Sequence, residues 1–217
     1  MTNGTEFLEL GRGERGRLAI LALSPHTDDV ELGAGGTIAR FVRGGASVHY
    51  VALSRAEPNS GEDSLAECRA AMRELGVPEI SFWDLPVRRL ADHRQEILDR
   101  LISLRDRAAF DVVLVPARYD CHQDHQVVVA ESVRAFKKTR ILGFDLPWNT
   151  VGDSRIDFFV PLEEGDVARK EAALSRYVGQ SGRSFFEAGT VRAIARFRGE
   201  QCGAQFAEAF ECIRWKV

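Results

Sequence analysis

The feature that most constrains the fold is a continuous apolar run at 17–24, which Pro25 ends. A run of this length without polar alternation is typical of a strand that is buried on both faces of a parallel sheet. Residues 37–42, after a glycine-rich stretch, have helical spacing. The segment therefore predicts a strand followed by a turn and a helix, which is the repeating unit of an α/β sheet.

The same alternation continues through most of the chain. Further strands are predicted at 47–54, 79–83, 111–115 and 140–144, and helices at 64–75, 92–107 and 124–137. Right-handed crossovers then give a Rossmann-like, three-layer α/β fold with a mostly parallel sheet. The C-terminal third is less regular, with a strand predicted at 156–160, a helix at 163–180, a short helix or turn at 205–212 and a closing strand at 213–217, while 183–198 has no clear assignment. A length of 217 residues favours a single domain that spans residues 1–217.

Composition narrows the class of protein. A hydrophobic content of 45% and a charged content of 28% are typical of a globular domain, and a net charge of −3 favours neither nucleic acid nor an anionic membrane as partner. The four cysteines include no Cys-x-x-Cys pair, the N-terminus does not resemble a signal peptide, and the longest apolar run is too short to span a bilayer. We therefore predict a cytoplasmic protein with a small-molecule substrate and no membrane span, for which a homo-oligomer is compatible with the sequence.

Two clusters of metal-binding residue types follow predicted strands. The first contains His26, Asp28, Asp29 and Glu31, and the second contains Asp120, Cys121, His122, Asp124 and His125. The carboxyl ends of parallel strands meet at one edge of a sheet, so we expect the clusters to converge there. Imidazoles and carboxylates are zinc ligands, and a catalytic zinc site uses three of them plus water. The sequence therefore predicts a catalytic metal centre.

The spacing leaves several roles open. His26 and either Asp28 or Asp29 could bind one ion from the same turn, which leaves the other carboxylate to take a proton from metal-bound water. Either His122 or His125 would complete the coordination. The other imidazole, when protonated, would stabilise an oxyanion, and Asp124 could orient it. Cys121 is a weaker candidate ligand.

The glycines at 33, 35 and 36 raise the question of a dinucleotide-binding loop. That fingerprint requires a third glycine where this chain has Ile38, so a nucleotide site is not supported. We expect these glycines to permit a turn beside the metal.

Together these segments resemble the LmbE/PIG-L-type zinc-dependent N-acetylglucosaminyl deacetylases. The resemblance is carried by Pro-His-x-Asp-Asp-x-Glu-Leu-Gly-x-Gly-Gly-Thr-Ile at 25–38 and by His-x-Asp-His at 122–125. It extends to Leu-Gly-Val within 67–77 and to Phe-Ala-Glu-Ala-Phe within 198–214. Thr27 and Val30 depart from the commonest residues of the first motif at positions that are not ligands.

The resemblance implies a division of labour among these residues. It implies that the metal, Zn²⁺ or alternatively Fe²⁺, is held by His26, Asp29 and His125. It also implies that Asp28 is the general base and that a protonated His122, tuned by Asp124, stabilises the oxyanion. The implied reaction removes the N-acetyl group from an N-acetylated amino sugar or sugar conjugate.

Substrate residues are less constrained. Arg55, Trp148 and Asn149 each follow a predicted strand, so we expect them to line the substrate pocket. Two other functions remain open: a two-His-one-carboxylate non-haem iron oxygenase, and a non-catalytic metal-binding protein on the same fold. The second acidic residue of the Asp28–Asp29 pair argues against both, because hydrolysis needs an additional carboxylate and a purely structural site does not.

Overall fold

The computed structural model describes residues 17–55, 64–180 and 182–216. Its seven strands form one sheet in the order β3-β2-β1-β4-β5-β7-β6. The strands are β1 Ala19–Ser24, β2 Ser47–Ser54, β3 Glu79–Leu85, β4 Val112–Pro116, β5 Arg140–Phe144, β6 Phe158–Leu162 and β7 Phe206–Arg214. The first five run parallel to one another, whereas β7 is antiparallel to both β5 and β6. The mostly parallel sheet confirms the predicted α/β class.

Helices cover both faces of this sheet. They are α1 Asp29–Arg43, α2 Ser64–Leu75, α3 Arg94–Arg107, α4 Gln123–Ala135, α5 Glu164–Leu174 and α6 Ala188–Cys202. One core joins α1, α2, α5 and α6 to the face of β1 that carries Ile20 and Ala22. A second core joins α3 and α4 to the opposite face, which carries Leu21 and Leu23. Successive strand residues point to opposite faces, so the unbroken apolar run of β1 supplies both cores and gives three layers.

The glycines of the first motif have a different role from the predicted one. Gly33, Gly35 and Gly36 lie inside α1 rather than in a turn. A Cβ added at Gly36 would lie 2.5 Å from Leu162 Cδ1, and the Gly36 backbone N–H donates to Glu208 Oε1 at 2.9 Å. The glycines therefore allow α1 to approach the sheet and α5 closely, and the turn prediction was wrong.

The C-terminal third departs most from the sequence-based expectations. The predicted helix 163–180 ends at Leu174, and the unassigned stretch 183–198 contains most of α6. The prediction of a helix or turn at 205–212 was wrong, because β7 occupies 206–214 and pairs on both sides. The alternation of apolar and polar residues along β7 was obscured by two glutamates that are buried in the sheet. Glu208 is bound by Lys170 and Glu211 by Arg118.

The fold brings the two motif-bearing loops together. β1 pairs directly with β4, so the loop after Ser24 and the loop after Pro116 leave the sheet side by side. The predicted loop 55–63 lies outside the described residues except for Arg55. Among the helices that the structure describes, none is long and apolar enough to cross a membrane.

Candidate metal centre

The first motif forms a tight turn between β1 and α1. The backbone N–H of His26 donates to Asp29 Oδ2 at 2.8 Å, which closes the turn. Ser24 Oγ accepts the N–H of Val30 at 3.1 Å and so serves the first turn of α1. Asp28 occupies the N-cap position, but its side chain makes no capping hydrogen bond. The carboxylate of Asp28 is therefore not committed to the helix end.

Three donor atoms from the two motifs meet at one point. Asp29 Oδ2 lies 3.0 Å from His26 Nδ1 and 3.2 Å from His125 Nε2, and the two ring nitrogens are 3.4 Å apart. A tetrahedral zinc with ligands at ~2.0–2.2 Å separates its donor atoms by about 3.3–3.6 Å. The triangle in the protein is close to one face of such a tetrahedron, so these atoms fit a metal ion.

His122 lies beside this triangle. Its ring centroid is 4.9 Å from that of His26 and 4.5 Å from that of His125. Ligand atoms of the three imidazoles lie within 4.8 Å of one another. A histidine cluster that could hold a metal is therefore present, and the spacing within it is wider than that of the triangle containing Asp29.

Each imidazole of the triangle has a carboxylate behind it. His125 Nδ1 is 2.7 Å from Asp120 Oδ2, and His26 Nε2 is 3.1 Å from Asp124 Oδ2. A carboxylate on the second ring nitrogen fixes the tautomer and orientation of a ligating histidine. Asp120 stands in the second motif, but its role was not recognised from the sequence. Its position in the loop that follows a strand, five residues before His125, was the available signal.

The side chain of Asp124 is fixed by backbone groups of another loop. Its carboxylate accepts the backbone N–H groups of Arg88 at 2.6 Å and Leu90 at 3.2 Å. We expected Asp124 to orient His122, but its side chain contacts His26 instead, and only its backbone N–H reaches His122 Nδ1, at 3.2 Å. The difference arises because the loop between β3 and α3 approaches from the side and fixes the carboxylate towards His26.

The charges in the centre favour a bound cation. Burial lowers the pKa of His26 and His125, but the charge of Asp29 and hydrogen bonds to carboxylates outweigh it and raise the two values to about 9 and about 10. Burial tends to raise the pKa of Asp29, yet the two imidazoles hold it well below its usual range. The carboxylates that contact these two rings thus stabilise positive charge at this point, whether it is carried by protons or by a metal ion.

Asp28 and His122 differ from their neighbours. Burial, followed by the charge of Asp29, raises the pKa of Asp28 to about 7. Burial and the charges of His125 and His26 lower the pKa of His122. Because His122 Nδ1 accepts the N–H of Asp124, a proton on the neutral ring sits at Nε2. This arrangement favours a neutral His122, in contrast to the protonated ring expected from the sequence.

The predicted substrate residues have different surroundings. Asn149 Nδ2 donates to Asp120 Oδ2 at 3.1 Å, so Asn149 supports the centre directly. Trp148 is 37% exposed and stacks on Phe185 with ring centroids 4.5 Å apart. Arg55 is exposed and pairs with Asp84 at 2.7 Å, at the start of the segment that the structure does not describe.

Comparison with known proteins places this arrangement in context. The chain is 29% identical to an uncharacterized deacetylase, YaiS, of Escherichia coli K12 over 171 residues, which are 74% of this chain and 91% of YaiS. Its fold matches the conserved protein TT1542 of Thermus thermophilus with a TM-score of 0.79, 26% identity and coverage of 92% of this chain and 96% of TT1542.

More distant structures share the fold. The N,N'-diacetylchitobiose deacetylase of Pyrococcus horikoshii matches with a TM-score of 0.75, 20% identity and coverage of 94% of this chain and 86% of that enzyme. The 4-carboxy-2-hydroxymuconate hydratase GalB of Pseudomonas putida KT2440 matches with a TM-score of 0.73, 19% identity and coverage of 92% of this chain and 98% of GalB. The fold alone therefore does not define the reaction.

The family match covers the region that contains both histidine- and aspartate-rich motifs. Residues 21–136 match the family described as PIG-L: GlcNAc-PI de-N-acetylase, and this range runs from β1 to the end of α4. The sequence-based resemblance is thereby confirmed. The chain belongs to the PIG-L (LmbE-like) deacetylase family.

Proposed function

We propose that this protein is a metal-dependent hydrolase that removes the N-acetyl group from an N-acetylated amino sugar or its conjugate. The observation that carries the proposal is the triangle of His26 Nδ1, Asp29 Oδ2 and His125 Nε2 beside the uncommitted carboxylate of Asp28. Membership of a deacetylase family supports the amide bond as the target. The sugar is supported by the family description and by the named activity of the chitobiose deacetylase.

His26, Asp29 and His125 are the proposed ligands, and Zn²⁺ is the proposed ion. Two nitrogen donors and one carboxylate oxygen also suit Fe²⁺. A divalent ion held by these residues would supply Lewis acidity, which lowers the pKa of water and polarises a carbonyl group. Asp120 and Asp124 keep the two rings in the orientation that presents Nε2 of His125 and Nδ1 of His26.

Asp28 is the proposed general base. Asp28 is 6% exposed and burial raises its pKa to about 7, so near neutral pH it can both accept and return a proton. It would take a proton from the attacking water as the water oxygen bonds to the acetyl carbon. The same proton would pass to the amine nitrogen as the C–N bond breaks, which yields acetate and the free amino sugar.

His122 is the proposed oxyanion donor. The N–H of Asp124 occupies Nδ1 and leaves Nε2–H available to the substrate. A neutral N–H donor in a partly buried site stabilises the charge that develops on the carbonyl oxygen. His122 thus contributes through a fixed tautomer, and a full positive charge on the ring is not required.

The test combines acetate release with metal analysis. Wild-type protein loaded with Zn²⁺ is assayed on a panel of N-acetyl sugars and conjugates, alongside Asp28→Asn and the matched control Asp99→Asn on the exposed face of α3. Asp28→Asn should keep its zinc and lose roughly 10²–10⁴-fold in kcat/KM, the usual contribution of a general base. Asp99→Asn should match the wild type.

Three outcomes would contradict the proposal. Full activity in Asp28→Asn would remove its role as base. Oxygen consumption on addition of Fe²⁺ and a 2-oxo acid, without acetate release, would favour the oxygenase. Stoichiometric zinc binding without acetate release from any member of the panel would favour a non-catalytic metal-binding protein.

A further inference from the structure

Arg183 directly precedes the 3-10 turn Ser184–Phe186 and, among the described residues, has no counter-ion. Within the same ranges its half-buried guanidinium makes no hydrogen bond or ion pair. Two other arginines, by contrast, are neutralised: Arg118 Nε donates to Glu211 at 2.8 Å and Arg198 Nη2 to Asp145 at 2.7 Å. Partial burial of an unpaired charge costs free energy, so such a group commonly binds a ligand of opposite charge.

The surroundings of Arg183 orient it. It immediately precedes the 3-10 turn Ser184–Phe186, and its guanidinium carbon lies 6.0 Å from the centre of the Phe185 ring. Phe185 in turn stacks on Trp148, with an angle of 14° between the rings. A cation near an aromatic face is stabilised by the ring and keeps its N–H groups free for another partner. Arg183 and the Trp148–Phe185 pair therefore form one surface, which we call the aromatic lip.

The aromatic lip adjoins the proposed catalytic residues from two directions. Trp148 is followed by Asn149, which binds Asp120 and so reaches the metal centre. Burial and Asp29 raise the pKa of Asp28, and the charge of Arg183 is close enough to act against this increase. The contacts from Arg183 to Phe185 and from Phe185 to Trp148 thus place the guanidinium on the side of the metal centre at which Asn149 contacts Asp120.

We propose that Arg183 binds an anionic group, a carboxylate or a phosphate, on the part of the substrate beyond the acetylated sugar, while the Trp148–Phe185 pair packs against its apolar surface. This inference rests on the proposed deacetylation and adds a substrate class to it. The planar guanidinium suits two oxygens of such a group. Several carboxylates lie around the metal centre and would repel an anionic substrate. A cation at the aromatic lip would offset this repulsion.

The experiment compares glycosides that differ only in charge. The carboxymethyl glycoside of N-acetylglucosamine is paired with its neutral carbamoylmethyl analogue, and N-acetylglucosamine 1-phosphate is the phosphate probe. KM and kcat for acetate release are measured for wild type, Arg183→Gln, Arg183→Lys and the control Arg196→Gln, whose arginine is exposed on α6 and paired with Glu200. Thermal unfolding verifies that each variant is folded.

Loss of a charged hydrogen bond in Arg183→Gln should raise KM for the anionic probes roughly tenfold or more and leave KM for the neutral glycoside within about twofold. A change in kcat through the pKa of Asp28 should be the same for the charged and neutral glycosides. Arg183→Lys should recover part of the loss, and Arg196→Gln should change nothing. The probe that suffers the larger loss identifies carboxylate or phosphate as the preferred group. Equal losses on charged and neutral glycosides, or no loss on either anionic probe, would overturn the inference.

A binding measurement separates this inference from the proposed function. If wild type deacetylates the neutral glycoside but shows no dependence on Arg183 with the anionic probes, only the inference fails. If no glycoside releases acetate, the proposed function fails, and calorimetric binding then decides the inference. Binding of an anionic probe that is lost in Arg183→Gln supports the anion site, and absence of such binding refutes it.

Discussion

Asp120 offers the sharpest test of how the metal centre is built. Its carboxylate is 2% exposed and accepts hydrogen bonds from three places: His125 Nδ1 at 2.7 Å, the backbone N–H of His122 at 2.8 Å and Asn149 Nδ2 at 3.1 Å. Asp120→Asn keeps the shape of the side chain and removes its charge. If Asp120 orients His125 for metal binding, this variant should bind zinc more weakly at unchanged fold.

The magnitude follows from the role of a carboxylate behind a ligating histidine. Removal of such a group typically costs 10–100-fold in metal affinity, or about 1.4–2.8 kcal/mol. A second effect opposes this loss at neutral pH. Asp120 helps to raise the pKa of His125 to about 10, so Asp120→Asn lowers that pKa and leaves fewer protons for zinc to displace. The loss of affinity should therefore be larger at pH 9 than at pH 7.

The assay is competition for zinc against a fluorescent chelator at both pH values, with thermal unfolding of the metal-free protein as a check on folding. The control is Asp111→Asn, whose carboxylate accepts the backbone N–H of Ala19 at 2.8 Å beside β1 and touches no histidine among the described residues. A zinc affinity within twofold of wild type at both pH values would refute the orienting role. An equal loss in Asp111→Asn would attribute the effect to general destabilisation.

Two further predictions concern protons and packing. The pKa of His26 is raised to about 9 and that of His125 to about 10, so zinc must displace protons from both rings below these pH values. The affinity for zinc should therefore rise by up to about tenfold per pH unit per proton between pH 6 and 9. Calorimetry in buffers of different ionisation enthalpy should detect the released protons, and an affinity that does not change with pH would contradict this prediction. In α6, Gly199→Ala places a Cβ 2.6 Å from the backbone oxygen of Ala204 and should lower the free energy of unfolding by about 1–3 kcal/mol. The added Cβ of Gly189→Ala, in the same helix, meets nothing within 4 Å, so this variant should raise the free energy of unfolding by up to about 1 kcal/mol. Chemical denaturation measures both, and equal effects would contradict the packing explanation.

The regular part of the fold could be predicted because its signals are local. The apolar run of β1 and the Gly76 that follows α2 each specify a local structure, and the structure confirms both, with Gly76 in a left-handed conformation at φ +76°. β7 could not be predicted in the same way. Its buried Glu208 is tolerated only because Lys170 and the N–H groups of α1 bind it, and these partners lie far away in sequence.

The sequence by itself determined that two clusters of histidines and aspartates each follow a buried strand, and therefore that they emerge at the same edge if both strands belong to one parallel sheet. The pairing of β1 with β4, which makes these strands neighbours, came from the tertiary structure. Only the tertiary structure decided which carboxylate supports which imidazole: Asp124 faces His26 because the loop at Arg88 and Leu90 binds it from the side. The same holds for the contact between Phe185, beside Arg183, and Trp148, because these residues come from segments that are distant in sequence. Local spacing specifies backbone conformation, whereas contacts between side chains from distant segments depend on how the layers pack.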